Sequence, residues 1–166
     1  MRQLLFVAVV SSSFGLTLPL LAELPASVSR DLCREQAFES IARQNRLPTN
    51  VRAALAKAFQ QRKLFIADPG EKFQQTDFVI VKPGERKLPT RRLLFAFRTS
   101  EHLVVYYESV SAGLGANALV FAIRGAGAKL LWGGVEVDHD KLARNPAELK
   151  QRICKGRLID DRAFIW

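Results

Sequence analysis

Residues 92–137 decide the fold, and they read RLLFAFRTSEHLVVYYESVSAGLGANALVFAIRGAGAKLLWGGVEV. Four runs rich in β-branched and aromatic residues alternate with short links that carry Ser, Gly and Asn. They predict strands over Arg92 to Arg98, Leu103 to Val110, Ala118 to Arg124 and Lys129 to Val137. Because the links are too short for a crossover helix, neighbouring strands must run antiparallel in a meander of four to six strands.

Alternation within the strands predicts which side of the sheet is buried. Leu93, Phe95 and Phe97 of the first strand should share one side. We expect one strongly apolar face to pack on helices. The other face and the loops at 82–92 and 111–117 would then remain free for function.

Helical patterns precede the strands. Ser27 or Ser29 can cap a first helix that runs through Arg46. Pro48 ends that segment, and a second helix is expected from about residue 51 to residue 62. Together the two segments predict an N-terminal helical hairpin.

A further helix follows the strands and has the clearest local signal in the chain. Asn145 stands at the cap position, Pro146 at the first helical position and Glu148 at the third, and Gly156 ends the segment. The apolar stretch 157–166 is expected to add an edge strand or to lie across the core. The sequence therefore predicts an α+β fold.

The first 22 residues indicate export. Arg2 gives a basic start, two apolar stretches follow, and Ala22 is a small residue suited to cleavage, which is the pattern of a secretory signal peptide. An uncleaved membrane anchor is the alternative. We therefore expect residues 23–166 to form a single exported domain, either periplasmic or secreted.

In the oxidising compartment that the signal peptide indicates, an even number of cysteines argues for pairing. The chain has two cysteines, Cys33 and Cys154, and two cysteines allow only one internal bridge. A redox role would need a nearby resolving cysteine, and there is none. The pair predicts a structural disulfide between the first helix and the last.

The charge balance indicates the kind of partner. The chain has 25 Lys and Arg against 16 Asp and Glu, for a net charge of +9. In an exported protein this favours an acidic protein or an anionic envelope component over nucleic acid. Basic residues are densest at 82–92, where proline stiffens the loop. The predicted contact residues are Arg86, Lys87, Arg91 and Arg92, and a merely solvated loop is the alternative.

The loop at 111–117 contains a glycine pattern that resembles a nucleotide-binding motif. Gly113 and Gly115 begin a G-x-G-x-x-A match, but a dinucleotide site requires that a helix follow, and the next residues read as a strand. We therefore expect no dinucleotide and no other cofactor. The glycines remain binding candidates because they permit close approach of a partner backbone.

Catalytic residues are sparse. Glu108 and His102 are six residues apart in one predicted strand and should share a face with Tyr106. A Glu with a second carboxylate could hydrolyse a glycan, and the polar side of a half-exposed sheet is the alternative. The candidate second carboxylates are Asp77, Glu101 and Glu136. His139 stands among Glu136, Asp138 and Asp140, but a solvated strand end explains that cluster and no metal is assigned.

These observations favour a non-catalytic binding protein of the cell envelope. It would act as an inhibitor, an immunity-type protein or an accessory factor that contacts an acidic partner through a basic loop. The alternative is a small envelope hydrolase that acts on glycan through paired carboxylates.

Overall fold

The computed structural model describes residues 24, 26–75, 87–109, 115–136 and 142–160. The described elements, in order, are α1 (Ala26–Arg34), β1 (Glu39–Ile41), a 3₁₀ turn (Gln44–Arg46), α2 (Thr49–Ala58), β2 (Arg91–Arg98), β3 (His102–Ser109), β4 (Ala116–Arg124), β5 (Gly127–Glu136), α3 (Pro146–Cys154) and β6 (Ile159–Asp160). The α+β class is confirmed. No described helix has the length and apolar character needed to cross a membrane. The predicted signal peptide, residues 1–22, lies outside the described residues.

The sheet is an antiparallel meander. Its six described strands lie in chain order, β1-β2-β3-β4-β5-β6, and every neighbouring pair is antiparallel. The four strands predicted from residues 92–137 are all present, and the predicted edge strand is the two-residue β6 on β5. Two rows of paired residues cross the central strands. One joins Glu108, Ala116 and Glu136, and the other joins His102, Ala122 and Lys129.

Both faces of the sheet are covered, which corrects the expectation of one free face. Along β3, Val105 and Tyr107 pack in a core with α2, whereas Val104 and Tyr106 pack in a second core with α1 and α3. All four are at most 5 % exposed. Central strands that are apolar on both sides must be buried on both sides. The fold therefore has three layers, with helices on each side of the sheet.

The predicted helical hairpin is not confirmed. The first helix ends at Arg34 instead of Arg46, and β1 forms where the helix was expected to continue. Phe38 packs with the core of α1 and α3, whereas Ile41 packs with the core of α2. The chain crosses the edge of the sheet at this point. Phe38 and Ile41 are three residues apart, a spacing that also occurs on one face of a helix, although here the two side chains pack on opposite faces of the sheet.

A β-bulge changes the alternation expected in β2. The pairing with β3 shifts between Leu93 and Phe95, so Leu94 is an extra residue on that strand. Leu93 consequently packs with α2, whereas Phe97 packs with α1 and α3. The prediction that Leu93, Phe95 and Phe97 share one side is therefore wrong at Leu93.

The C-terminal helix and the disulfide agree with the sequence prediction. The Asn145 side chain accepts a hydrogen bond of 2.9 Å from the Glu148 backbone N–H, and Pro146 begins α3. Cys33 of α1 is bonded to Cys154 of α3, with their Cα atoms 5.8 Å apart. The bridge fixes the first helix to the last on one side of the sheet.

Candidate functional site

A basic surface lies at the start of β2. The backbone of Ala67 hydrogen-bonds both Arg91 and Leu93, and the Gln74 N–H donates to the Pro89 carbonyl. These bonds hold the segment from residue 61 to residue 75 beside residues 87–92. We define the basic surface as the side chains Arg62, Lys63, Phe65, Lys72, Lys87, Leu88 and Arg91.

The basic residues of this surface form no close ion pairs within the described part of the protein, although Asp68 and Glu71 lie in the same segment. Lys63, Lys72 and Lys87 are exposed, and none of its five basic residues forms an ion pair with another described residue. Phe65 and Leu88, on the same two segments, are 40 % and 41 % exposed. The surface therefore offers positive charge and apolar contact area together.

The four predicted contact residues differ in their surroundings. Lys87 is exposed, and Arg86 lies outside the described residues. The Arg91 guanidinium is 4.2 Å from the centre of the Phe59 ring and is half-buried. Arg92 lies 4.5 Å from the centre of the Phe73 ring and forms a 2.8 Å ion pair with Glu108. The structure thus gives Arg92 an internal partner that the sequence did not reveal.

That ion pair also bears on the predicted catalytic residues. Glu108, Tyr106 and His102 share one face of β3, as their even spacing predicts. Six residues of strand place Glu108 and His102 about 20 Å apart, however, too far to act on one bond. Glu108 is held by Arg92 instead, and Asp77 lies outside the described residues. The structure therefore does not assemble Glu108 and His102 into one site.

Glu136, a predicted second carboxylate, belongs to a buried polar network. It is 7 % exposed and accepts hydrogen bonds from the Tyr106 hydroxyl, from the Ala143 N–H at 3.1 Å and from Arg152 at 2.8 Å. Arg152 also pairs with Glu148. Every carboxylate oxygen of Glu136 thus has a donor, which is the condition for a buried charge to be tolerated.

Two members of this network, Tyr106 and Arg152, have shifted pKa values. Burial raises the pKa of the Tyr106 hydroxyl well above its ordinary value, and its hydrogen bond to Glu136 raises it further. Burial alone would lower the pKa of Arg152, but its hydrogen bonds to Glu136 and Glu148 give a net increase. Tyr106 therefore stays neutral and Arg152 stays charged. Sequence reasoning missed the network because its members are joined only by strand register and by the placement of α3.

Gly115 has a structural explanation. It is buried, and a Cβ atom at this position would lie 2.5 Å from the Glu136 carbonyl oxygen. The backbone that approaches this glycine is therefore β5 of the same chain. Gly113 lies outside the described residues.

A cleft of about 450 Å³ lies at the opposite end of the sheet from Glu108. It is bounded by α1 and by the ends of β3, β4 and β5. His102 lines it, is 5 % exposed, and has no hydrogen-bond partner for its Nδ1 atom within the described residues. Within the part of the chain that the structure describes, no group of three or more His, Cys, Asp or Glu side chains could hold a metal ion.

No family model, curated protein or solved structure matches this chain.

Proposed function

We propose that this protein is a non-catalytic binding protein of the cell envelope that holds an acidic protein partner on the basic surface. Its role would be that of an inhibitor, an immunity-type protein or an accessory factor. The observation that carries the proposal is the basic surface itself, where two hydrogen-bonded segments carry five cations without described ion-pair partners together with two exposed apolar side chains.

Charge supports the proposal first. Lys63, Lys72 and Lys87 are exposed, so an approaching acidic surface meets a positive field. Such fields accelerate encounter and are screened beyond about 10 Å at 0.1 M salt. Arg92 is not counted among the contacts, because Glu108 already neutralises it.

Apolar area supports it second. Charge alone steers partners but adds limited affinity, whereas apolar and Arg side chains commonly dominate binding energy. Phe65 and Leu88 supply apolar area, and Arg91 is positioned by its contact with the Phe59 ring. A guanidinium held in this way loses less side-chain freedom when it binds a carboxylate.

The disulfide bond supports the proposal that the protein is exported. The Cys33–Cys154 disulfide is compatible with an oxidising compartment. A signal peptide over residues 1–22 would deliver the chain there. A periplasmic or secreted location is therefore part of the proposal.

The test compares two double charge reversals in the disulfide-bonded protein. Lys63→Glu with Lys87→Glu alters the basic surface, and Arg30→Glu with Arg157→Glu alters exposed residues elsewhere. Each substitution changes the charge by two units, so both variants fall from +9 to +5. Each protein is used to capture partners from an envelope extract at low and high salt, with mass spectrometry as the readout. Vesicles of phosphatidylglycerol form a separate arm.

We expect one roughly stoichiometric acidic protein that is captured at low salt and lost at high salt. The Lys63/Lys87 variant should lose it, and the Arg30/Arg157 variant should keep it. Equal capture by both variants would remove the basic surface from the proposal. Binding to vesicles with no protein captured would show that the partner is a lipid surface instead.

A further inference from the structure

We propose that the cleft lined by His102 binds a short zwitterionic peptide with apolar side chains. The cleft is separate from the basic surface, since it lies at the other end of the sheet and on the face covered by α1 and α3. The inference therefore stands independently of the proposed function.

The shape of the cleft follows from strand register. His102, Ala122 and Lys129 form one row across β3, β4 and β5, with their side chains on the same face. Strands are about 4.8 Å apart, so His102 and Lys129 stand about 10 Å apart with only the small Ala122 between them. Val28 and Asp31 of α1 close one side. The result is a trough with an alanine floor.

His102 borders this trough with a buried side chain. Its side chain is buried, and its Nδ1 atom has no hydrogen-bond partner in the described part of the chain. Because that atom is closed to solvent, the side chain borders the trough without presenting Nδ1 to it. The groups that face a bound molecule are therefore the charged and apolar side chains of the cleft.

Charges of both signs surround the trough. Asp31 and Glu101 are carboxylates, Arg124 and Lys129 are cations, and all four line the cleft. All four are exposed, yet none forms an ion pair with another described residue. A ligand with one ammonium group and one carboxylate matches this arrangement, with the ammonium directed to the acids and the carboxylate to the bases.

The size and lining of the cleft select the rest of the ligand. Its volume of about 450 Å³ falls in the range typical of small-molecule sites. Val28, Ala122 and Leu131 supply apolar lining. A peptide of two or three residues with aliphatic side chains satisfies both the volume and the lining.

The experiment is an NMR titration of the ¹⁵N-labelled, disulfide-bonded protein with leucyl-leucine. N-acetyl-leucyl-leucine amide is the matched probe, because it keeps the apolar body and lacks both end charges. Three variants are compared: Ala122→Leu fills the floor, Lys129→Glu reverses a cleft charge, and Lys87→Glu makes the same charge change on the basic surface. Their amide spectra report whether each variant is folded.

We expect saturable shifts centred on His102, Ala122 and Lys129 with leucyl-leucine, and at least about fivefold weaker binding of the blocked peptide. Ala122→Leu should abolish the shifts and Lys129→Glu should weaken them, whereas Lys87→Glu should leave them unchanged. Equal binding of both probes would overturn the zwitterion assignment. Absence of saturable shifts up to about 10 mM, where even a millimolar site is mostly filled, would overturn the site.

Discussion

Removal of the disulfide gives a prediction whose magnitude follows from the topology. Replacing Cys33 and Cys154 by Ala opens a closed loop with a sequence separation of 121 residues. In the chain-entropy relation a loop of this length changes the unfolding entropy by about 16 cal/mol/K, which is about 5 kcal/mol at 25 °C. For a domain of roughly 140 residues, that loss lowers the melting temperature by about 15 °C.

The assay is urea denaturation followed by tryptophan fluorescence, since Trp132 is buried in the core beside α1. The free energy of unfolding and the m-value are measured for the native protein, for its reduced form and for the double Ala variant. We expect the m-value to rise along with the loss of stability, because an unlinked unfolded chain exposes more surface.

Leu32→Ala is the control, because Leu32 is fully buried in α1 and the substitution leaves the disulfide intact. It should cost about 2–5 kcal/mol through lost packing, with no change in the m-value. If the double Ala variant loses less than about 1 kcal/mol, or loses stability with an unchanged m-value, the loop-entropy reasoning is refuted.

Three further predictions concern the buried network and the strand ends. Tyr106→Phe removes a hydroxyl that donates to Glu136 and accepts from the Ala143 N–H. The free energy of unfolding, measured by urea denaturation, should therefore fall by about 1–3 kcal/mol. An unchanged free energy of unfolding would show that these hydrogen bonds do not stabilise the fold. Gly115→Ala places a methyl 2.5 Å from the Glu136 carbonyl and should destabilise by about 1–3 kcal/mol, whereas Gly127→Ala, with its nearest contact at 3.5 Å, should be tolerated. Hydrogen bonds from the Arg144 N–H and from Arg152 lower the pKa of Glu148 below its ordinary value of 4.5. The Glu148 carboxylate therefore stabilises the fold at pH values above 4.5. This contribution to the free energy of unfolding is lost as the pH falls through the folded-state pKa. Thermal melts of Glu148→Gln from pH 3 to pH 7 should therefore show a smaller loss of stability on acidification than the native protein shows; equal losses would contradict this.

Local signals in the sequence were sufficient for much of the fold. The strands of residues 92–137 and the cap formed by Asn145 and Pro146 depend on neighbouring residues, and both are present. The Cys33–Cys154 pairing was determined by the cysteine count alone. None of these predictions required knowledge of which face an element covers.

Long-range arrangement was beyond sequence reasoning. The spacing of Phe38 and Ile41 matches that of one helix face, but the two side chains pack on opposite faces of the sheet because the chain crosses its edge between them. The Arg92–Glu108 pair depends on the register of β2 against β3, which the bulge at Leu94 shifts. The cleft beside His102 likewise exists only because the register aligns Ala122 with two larger neighbours. A single sequence carries no direct signal for such register.

The chain order of the strands has a consequence for folding kinetics. From β2 to β5 each strand pairs with the one before it across a short link, so this part of the sheet can grow by successive addition of neighbours. Two contacts are long-range: β1 pairs with β2 through Ile41 and Ala96, and the cysteines of α1 and α3 are separated by 121 residues. Oxidation is therefore expected to come last and to lock a sheet that has already formed. Because the chain has only two cysteines, an incorrect bridge can arise only between two molecules, so the yield of correctly oxidised monomer should depend on protein concentration.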